Sequence, residues 1–320
     1  MQEKVSEYID RYVLFKGEGT WGTWNAPDTF PNYLLEFEGT TTEERDDQPI
    51  IAGAPDLKAR TFQEEGVVAR MLMQVVSSKI FEYCLGSHAV ANTASPFTIG
   101  IGSTLPSMSI YRGLQPGASG ETGTISVGYY GMKVDTWELT LEKGEDVVLE
   151  LNFAGKGCTV PSAMAKPSVS VTIPTFGFYH GEVVYGPTTL AYLNRIALSG
   201  NNNLDARLSA GSLTFRPVKL REGERQLTGR MSIDSPLSTF ATDVLARGES
   251  SIIVYLRGST ANQGTLTFTI RNIALDEYPD PIRGLDAIEA EIPFSARGSV
   301  GYDMIQLVQT SALTWAQLPY

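Results

Sequence analysis

Residues 125–157 read "ISVGYYGMKVDTWELTLEKGEDVVLELNFAGKG". Trp137, Leu139 and Leu141 alternate with Glu138, Thr140 and Glu142. Past Lys143-Gly144-Glu145-Asp146, Val147, Leu149, Leu151 and Phe153 alternate with Val148, Glu150, Asn152 and Ala154. Successive side chains of a strand point to opposite faces, so this pattern predicts a hairpin around a short Gly turn. One face is dry and the other wet, and the wet face holds carboxylates.

The same grammar runs through the chain: short apolar-alternating stretches bounded by Gly, Pro, Ser and Asn, the pattern of a mainly β protein. Helices are few. Val67, Ala69, Met71, Met73 and Val75 alternate as a strand, and then "SSKIFEYCLG" sets Ile80, Phe81, Cys84 and Leu85 at helical spacing. That helix is expected to take Ser77 or Ser78 as N-cap and to stop on Gly86. A second helix is expected in "SPLSTFATDVLARG", with Ser235 as cap, Pro236 in the first turn, and Leu237, Phe240, Val244 and Leu245 on one face. A third would put Val5, Tyr8, Ile9 and Tyr12 on one side.

A 34.8 kDa chain has room for two domains. It has no tract approaching the ~18 apolar residues of a membrane span, and its start, "MQEKVSEYIDRY", has the marks of no secretion signal. Cys84 and Cys158 are read as thiols at least half buried in a reducing cytoplasm, with a bridge between them as the alternative. A net charge of −11 argues against a grip on nucleic acid, which needs basic patches, but not against a surface that DNA slides past. Solubility alone accounts for that charge equally well.

The chain repeats itself. "ELNFAGKG" at 150–157 is echoed by "EIPFSARG" at 291–298, which is 141 positions later (291 − 150). Earlier marks come in the same order: "EEG" ending at Gly66 and "REG" ending at Gly223, "GST" at 102–104 and 258–260, "SMSIY" at 107–111 and "TFTIR" at 267–271. These marks predict two tandem related domains, 1–157 and 158–320, each with a short flanking helix. An extra loop is expected near 113–128, around "GLQPGASGETG". The apolar phase after Gly66 and Gly223 differs by one residue, which a shifted turn or a bulge would explain.

The strand–turn–strand "MKVDTWELTLEKGEDVVLELNFAGKG", the opening "YVLFKGEGTWGTWNAPDTFPNYLLEFEG" and "LPSMSIYRG" at 105–113 together resemble the tail tube proteins of tailed bacterial and archaeal viruses. The resemblance implies β-sandwich or barrel-like domains with a short helix, forming rings that stack into the hollow tube through which the genome leaves. Two fused domains imply trimeric rings that mimic a hexamer, in a long, non-contractile tail. Implied partners are other copies of the chain, the tape measure, baseplate initiator and tail terminator proteins, and genomic DNA in passage. The protein would be made in the host cytoplasm and end in the virion tail, with no membrane and no cofactor. On that view Glu138, Glu142, Glu150, Glu289 and Glu291 are candidate lumen-facing acids that repel phosphate. The stretch 39–58 reads as a long loop, and its Glu43, Glu44, Arg45, Asp46 and Asp47 are candidates for ring stacking. The apolar end "GYDMIQLVQTSALTWAQLPY" is expected to pack on its own domain or on a neighbour.

Enzymatic motifs fail on inspection. Gly17-x-Gly19-x-x-Gly22 follows a strand but leads into prolines, not into a helix that would present its N-terminus to a pyrophosphate. His88 and His180 have no second ligand at a metal-binding spacing, and Asp276, Glu277 and Asp280 lack the spacing of a calcium loop. No enzyme is expected. The alternatives are another virion ring, such as a baseplate or terminator protein, or a carbohydrate-binding sandwich in which Trp21 and Trp24 would form an exposed platform.

Overall fold

The computed structural model describes residues 10–29, 31, 33–49, 58–86, 95–115, 125–162, 164, 173–208, 216–234, 238–276, 289–298 and 303–320. The protein is mainly β. In its first half run β1 (Asp10–Gly17), β2 (Leu34–Pro49), β3 (Lys58–Gln74), α1 (Phe81–Leu85), β4 (Phe97–Ile99), β5 (Met108–Gln115), β6 (Ile125–Glu142), β7 (Val148–Gly155) and β8 (Gly157–Thr159). Then follow β9 (Gly181–Tyr185), β10 (Thr188–Thr189), β11 (Leu193–Asn201), β12 (Leu204–Arg207), β13 (Lys219–Glu222), β14 (Gln226–Asp234), α2 (Ser238–Ala246), β15 (Ser250–Arg257), β16 (Thr265–Leu275), β17 (Glu289–Ala296) and β18 (Ile305–Thr310).

The opening hairpin forms as its alternation dictates. β6 and β7 pair from Lys133↔Ala154 to Thr140↔Val148, and Gly144 turns the chain at a φ of 91°, where a side chain would be strained. Trp137, Leu139, Leu141, Val147, Leu149, Leu151 and Phe153 are buried, while Glu142 is exposed and Glu138 and Glu150 are half-buried.

β6 is long because it serves two sheets. Its first part pairs with β5 and β8, and its second with β7 and β11. The change occurs at a bulge beside Gly131, whose φ is 68°. β16 also changes partners along its length: its first part pairs with β15 and β18, its end with β17, and beside the bulge stands Asn272 at a φ of 51°.

Pairing order repeats along the chain. In the first half the antiparallel neighbours run β2, β3, β7, β6, β5, β1; in the second they run β11, β14, β17, β16, β15, β9. The irregularities repeat too. The register shifts at Leu34/Glu36 and at Leu193/Arg195, and again at Met108/Ile110 and at Ser250/Ile252. The Tyr33 carbonyl accepts from the N–H of Gln74, and the Tyr192 carbonyl from that of Asp234.

This order corrects two expectations. "SMSIY" lies in β5 and "TFTIR" in β16, but β16 occupies the place of β6, and β5 that of β15. Any two exposed strands share a period of two, so short alternating strings match without being equivalent. Gly131 to Asn272 is then the same 141 positions as the octads, so no insertion falls near 113–128; the residues beyond the common pattern lie between α1 and β5, where β4 sits. The phase change after Gly66 and Gly223 also has a cause. β2 and β3 run unbroken into a protruding arm, whereas the corresponding arm of the second half is the separate pair β12·β13. Gly223, Glu224 and Arg225 intervene before β14, and an odd number of added residues flips the faces.

Other expectations change as well. The residues predicted as a loop from 39 are strand as far as Pro49, paired with β3 up to Pro49↔Lys58; residues 50–57 lie outside the described set. Thr40–Thr42 favour strand, and beyond the end of β7 neither face of the arm needs to be apolar, so alternation gives no signal there. α1 stops on Gly86 at a φ of 85°, but its N-cap is Ile80. Ser77 and Ser78 are occupied elsewhere: the Ser77 hydroxyl donates to the Pro319 carbonyl and the Ser78 hydroxyl to Gln309. In α2, Phe240 and Val244 face the core, but Leu245 is exposed because five residues on from Phe240 is off the seam. Its proposed cap, Ser235, lies outside the described residues together with Pro236 and Leu237. So do Val5, Tyr8 and Ile9 of the third helix, and Tyr12 belongs to β1.

One apolar cluster spans both halves, from Val13 and Phe15 to Ile305 and Leu307. The C-terminal residues reach across it. β18 pairs with β4 as well as β16, Trp315 lies on Phe97, and the Tyr320 ring meets Phe15 edge-on at 4.8 Å.

Candidate functional site

Seven strands, β2, β3, β7, β6, β11, β14 and β17, form one continuous sheet, and the side of it turned away from the core is polar. Ladder partners line up across it in rows. One row is Glu36, Leu72, Glu150, Glu138, Ser199, Thr228, Ser295; another is Glu38, Arg70, Asn152, Thr136, Asn201, Gln226; a third is Glu142, Arg195, Ser232, Glu291. Four of the predicted acids, Glu138, Glu142, Glu150 and Glu291, therefore share this face. Glu289 opens β17 opposite Asp234, and its side chain lies outside the described residues.

Among the described residues three arginines lie on it, each beside an acid. Arg70 grips Glu150 with two N–H groups at 2.8 and 2.9 Å and Glu36 with a third at 3.0 Å. Arg195 lies 3.7 Å from Glu142, and Arg230 lies 3.4 Å from Glu291. The Arg70 bond holds the Glu150 carboxyl below its ordinary value, and Glu150 in turn raises Arg70. Glu138 instead accepts from the Ser199 hydroxyl at 3.3 Å and the Thr140 hydroxyl at 3.4 Å. Two shallow, adjoining depressions of about 440 and 300 Å³ meet at Glu138, Ser199 and Thr228. These arginines were legible as residues, but their partners come from strands up to 80 residues away.

Glu43, Glu44, Arg45, Asp46 and Asp47 lie on the β2 side of the arm, their backbones opposite Glu65, Glu64, Phe62, Thr61 and Arg60; their side chains lie outside the described residues.

The remaining candidates have structural employment. Neither cysteine is in a disulfide, and burial pushes the Cys84 thiol up. Glu18, which sequence reading passed over, organises the Gly17–Gly22 turn: it accepts from the N–H of Gly22 and Gly131 and from the hydroxyls of Ser107 and Ser109. Trp21 donates to the Gly131 carbonyl, and Trp24 packs on the Tyr12, Leu14 and Tyr111 cluster, so the pair forms no open platform. The His180 ring nitrogen accepts from the Gly177 N–H, and His88 lies outside the described residues. Among the described residues no group of three or more His, Cys, Asp or Glu is placed to hold a metal ion.

The described residues thus form a mainly β body with a broad, salt-bridged sheet face and a two-stranded extension of β2 and β3. The model of the family described as "Phage tail tube protein" matches residues 9–296, and the chain belongs to that family. It is therefore a structural component of a viral tail that self-assembles into a tube. No curated protein matches the sequence.

Proposed function

We propose that this chain builds the tail tube from rings of three, each chain filling two of six similar places, with 1–157 and 158–320 as its two tube domains. The observation that supports this reading is the repeated pairing order with its bulges at the same posts, because two fused copies of one ring-forming unit halve the number of chains in a ring. The polar sheet face lines the lumen, with Glu138, Glu142, Glu150 and Glu291 directed at the passing genome and Glu289 a further acid at the start of β17. A polyanion slides when it meets repulsion and no free cation. Arginines already held by carboxylates offer phosphate less than unpaired ones would. The arm bearing Glu43, Glu44, Arg45, Asp46 and Asp47 reaches to the next ring. The tape measure, baseplate initiator and tail terminator proteins complete the assembly, which delivers DNA and performs no reaction.

Negative-stain electron microscopy of the concentrated protein tests this. Hollow end-on views with three-fold symmetry and six lobes are expected. Six-fold rings of whole chains would end the trimer reading and keep the tube.

A further inference from the structure

The two halves close the same post in different ways. α1 follows β3 and α2 follows β14, so the two helices correspond. In the second half the ring packed on the helix comes from the neighbouring strand: Tyr185 of β9 stands opposite Ile252, just past the bulge of β15. Tyr185 is buried, its ring lies 4.7 Å from that of Phe240, and its hydroxyl donates to the Asp243 carboxylate of α2 at 2.6 Å. In the first half the matching residue of β1, opposite Ile110 just past the bulge of β5, is Phe15. Phenylalanine has the ring but no hydroxyl. The acid on α1, Glu82, takes its bond from the Tyr320 hydroxyl at 3.3 Å, and the Tyr320 ring stands edge-on to Phe15 at 4.8 Å. A residue beyond β18, in the second half, thus supplies what β1 lacks.

Residues 311–320 reach that place as a strap. The ladder of β18 stops at Thr310↔Thr265. Beyond it the Trp315 ring lies 5.5 Å from Phe97 and Leu318 is buried. The Leu318 carbonyl accepts from the Lys79 ammonium at 3.3 Å, and the Pro319 carbonyl accepts from the Ser77 hydroxyl. The Lys79 ammonium also stands 4.1 Å from the centre of the Tyr320 ring. Such a contact can open. Of the ten residues Leu318 alone is buried, and a segment with few buried contacts and no ladder is the first to leave. Much of what it covers is polar (Ser77, Lys79 and Glu82), and water can solvate those groups once the strap lifts. The strap also keeps its own shape: the Gln317 side-chain oxygen accepts from the Thr314 N–H at 3.0 Å and the Thr314 hydroxyl at 2.9 Å. A preformed turn lowers the entropy lost on docking.

We propose that the first half carries a binding groove for this strap, formed by Phe15, Ser77, Lys79, Glu82 and Phe97, and that docking of residues 311–320 switches the chain to its assembly-competent form. The match to the family model ends at residue 296, so neither β18 nor the strap belongs to the matched part. The link to assembly rests on the ring reading above. Six similar places in a ring need two similar halves. The second half closes its helix with its own Tyr185, whereas the first half is closed only while Tyr320 is docked. An undocked chain presents two unlike halves and stays out of the tube.

Two measurements test this. In the free full-length chain, labelling of Lys79 by an amine-reactive ester, read by mass spectrometry, is expected to run about tenfold faster in Trp315→Ala than in the parent. Trp315 is anchored on Phe97, so a faster rate at Lys79 reports the strap lifting as a unit rather than the loss of one local contact. The same variant is expected to form few tubes. Second, a chain ending at Thr310 is expected to bind a fluorescent peptide of residues 311–320, with the Tyr320→Ala peptide about tenfold weaker, and to form tubes once the parent peptide is added. Lys79 labelling that is unchanged in Trp315→Ala, or tubes of that variant at the parent's yield, overturns the switch and leaves the tube reading intact, whether or not the shortened chain folds. A parent chain that forms no ring or tube at any concentration, with or without tail initiator, overturns the tube reading and the switch; the Lys79 rate and the peptide titration still decide the groove.

Discussion

Gly131 and Asn272 hold the same post in two different strands: each stands at a bulge, in left-handed backbone, where a long strand changes its ladder partners. Glycine adopts that conformation freely and asparagine tolerates it better than most residues. A methyl group at Gly131 would also approach the Lys156 side chain to 2.7 Å. Gly131→Ala is expected to lower stability by about 1–3 kcal/mol, while Asn272→Gly is expected to stay within about 1 kcal/mol of the parent. Urea unfolding of the two variants checks the contrast.

Ser78 and Gln309, 231 residues apart, tie the end of the chain to the first half. The Gln309 side-chain oxygen accepts from the Ser78 N–H at 2.8 Å and its hydroxyl at 2.7 Å, and the amide nitrogen donates to the Gln263 carbonyl at 3.1 Å. Gln309 is fully buried, so Gln309→Leu strands three polar groups out of reach of water. A loss of roughly 2–4 kcal/mol is expected, read as a lowered melting temperature.

Glu222 sits between Lys133 and Arg225 where the halves meet. Removing one member of a buried charge cluster leaves the others uncompensated. Glu222→Ala is therefore expected to cost about 3–5 kcal/mol, more than replacing the exposed Glu291 beside Arg230, which is expected to cost under ~1 kcal/mol. Chemical denaturation of both variants decides it.

The Arg70–Glu150 pair gives the polar face an acid limit. Arg70 holds the folded Glu150 carboxyl below the 4.5 of an ordinary glutamate, so below that value the unfolded chain binds the extra proton. The pair's contribution is complete above about pH 4.5 and is lost as pH falls through the folded value. Both side chains are about one-third exposed, so solvent screening keeps that contribution small. Arg70→Met is expected to flatten this part of the stability curve below about pH 4.5, as followed by urea titration at each pH.

Alternation and turn chemistry are local, so the sequence by itself determined the β class, the 125–157 hairpin with its acid-bearing face, the stop of α1 at Gly86, and the presence of repeated text in both halves. The arm at 40–49 escaped because a ribbon without a core beneath it leaves no apolar period to read. The alignment of "SMSIY" with "TFTIR" failed because alternation is the same in every half-buried strand. Only the tertiary structure decided which strand stands beside which. That choice gathered four acids onto one face, gave three of them arginine partners from distant strands, and carried β18 across to β4. Sheet pairing joins residues by backbone bonds that every sequence can make, so the selection among partners comes from how both halves bury their apolar faces together in one core.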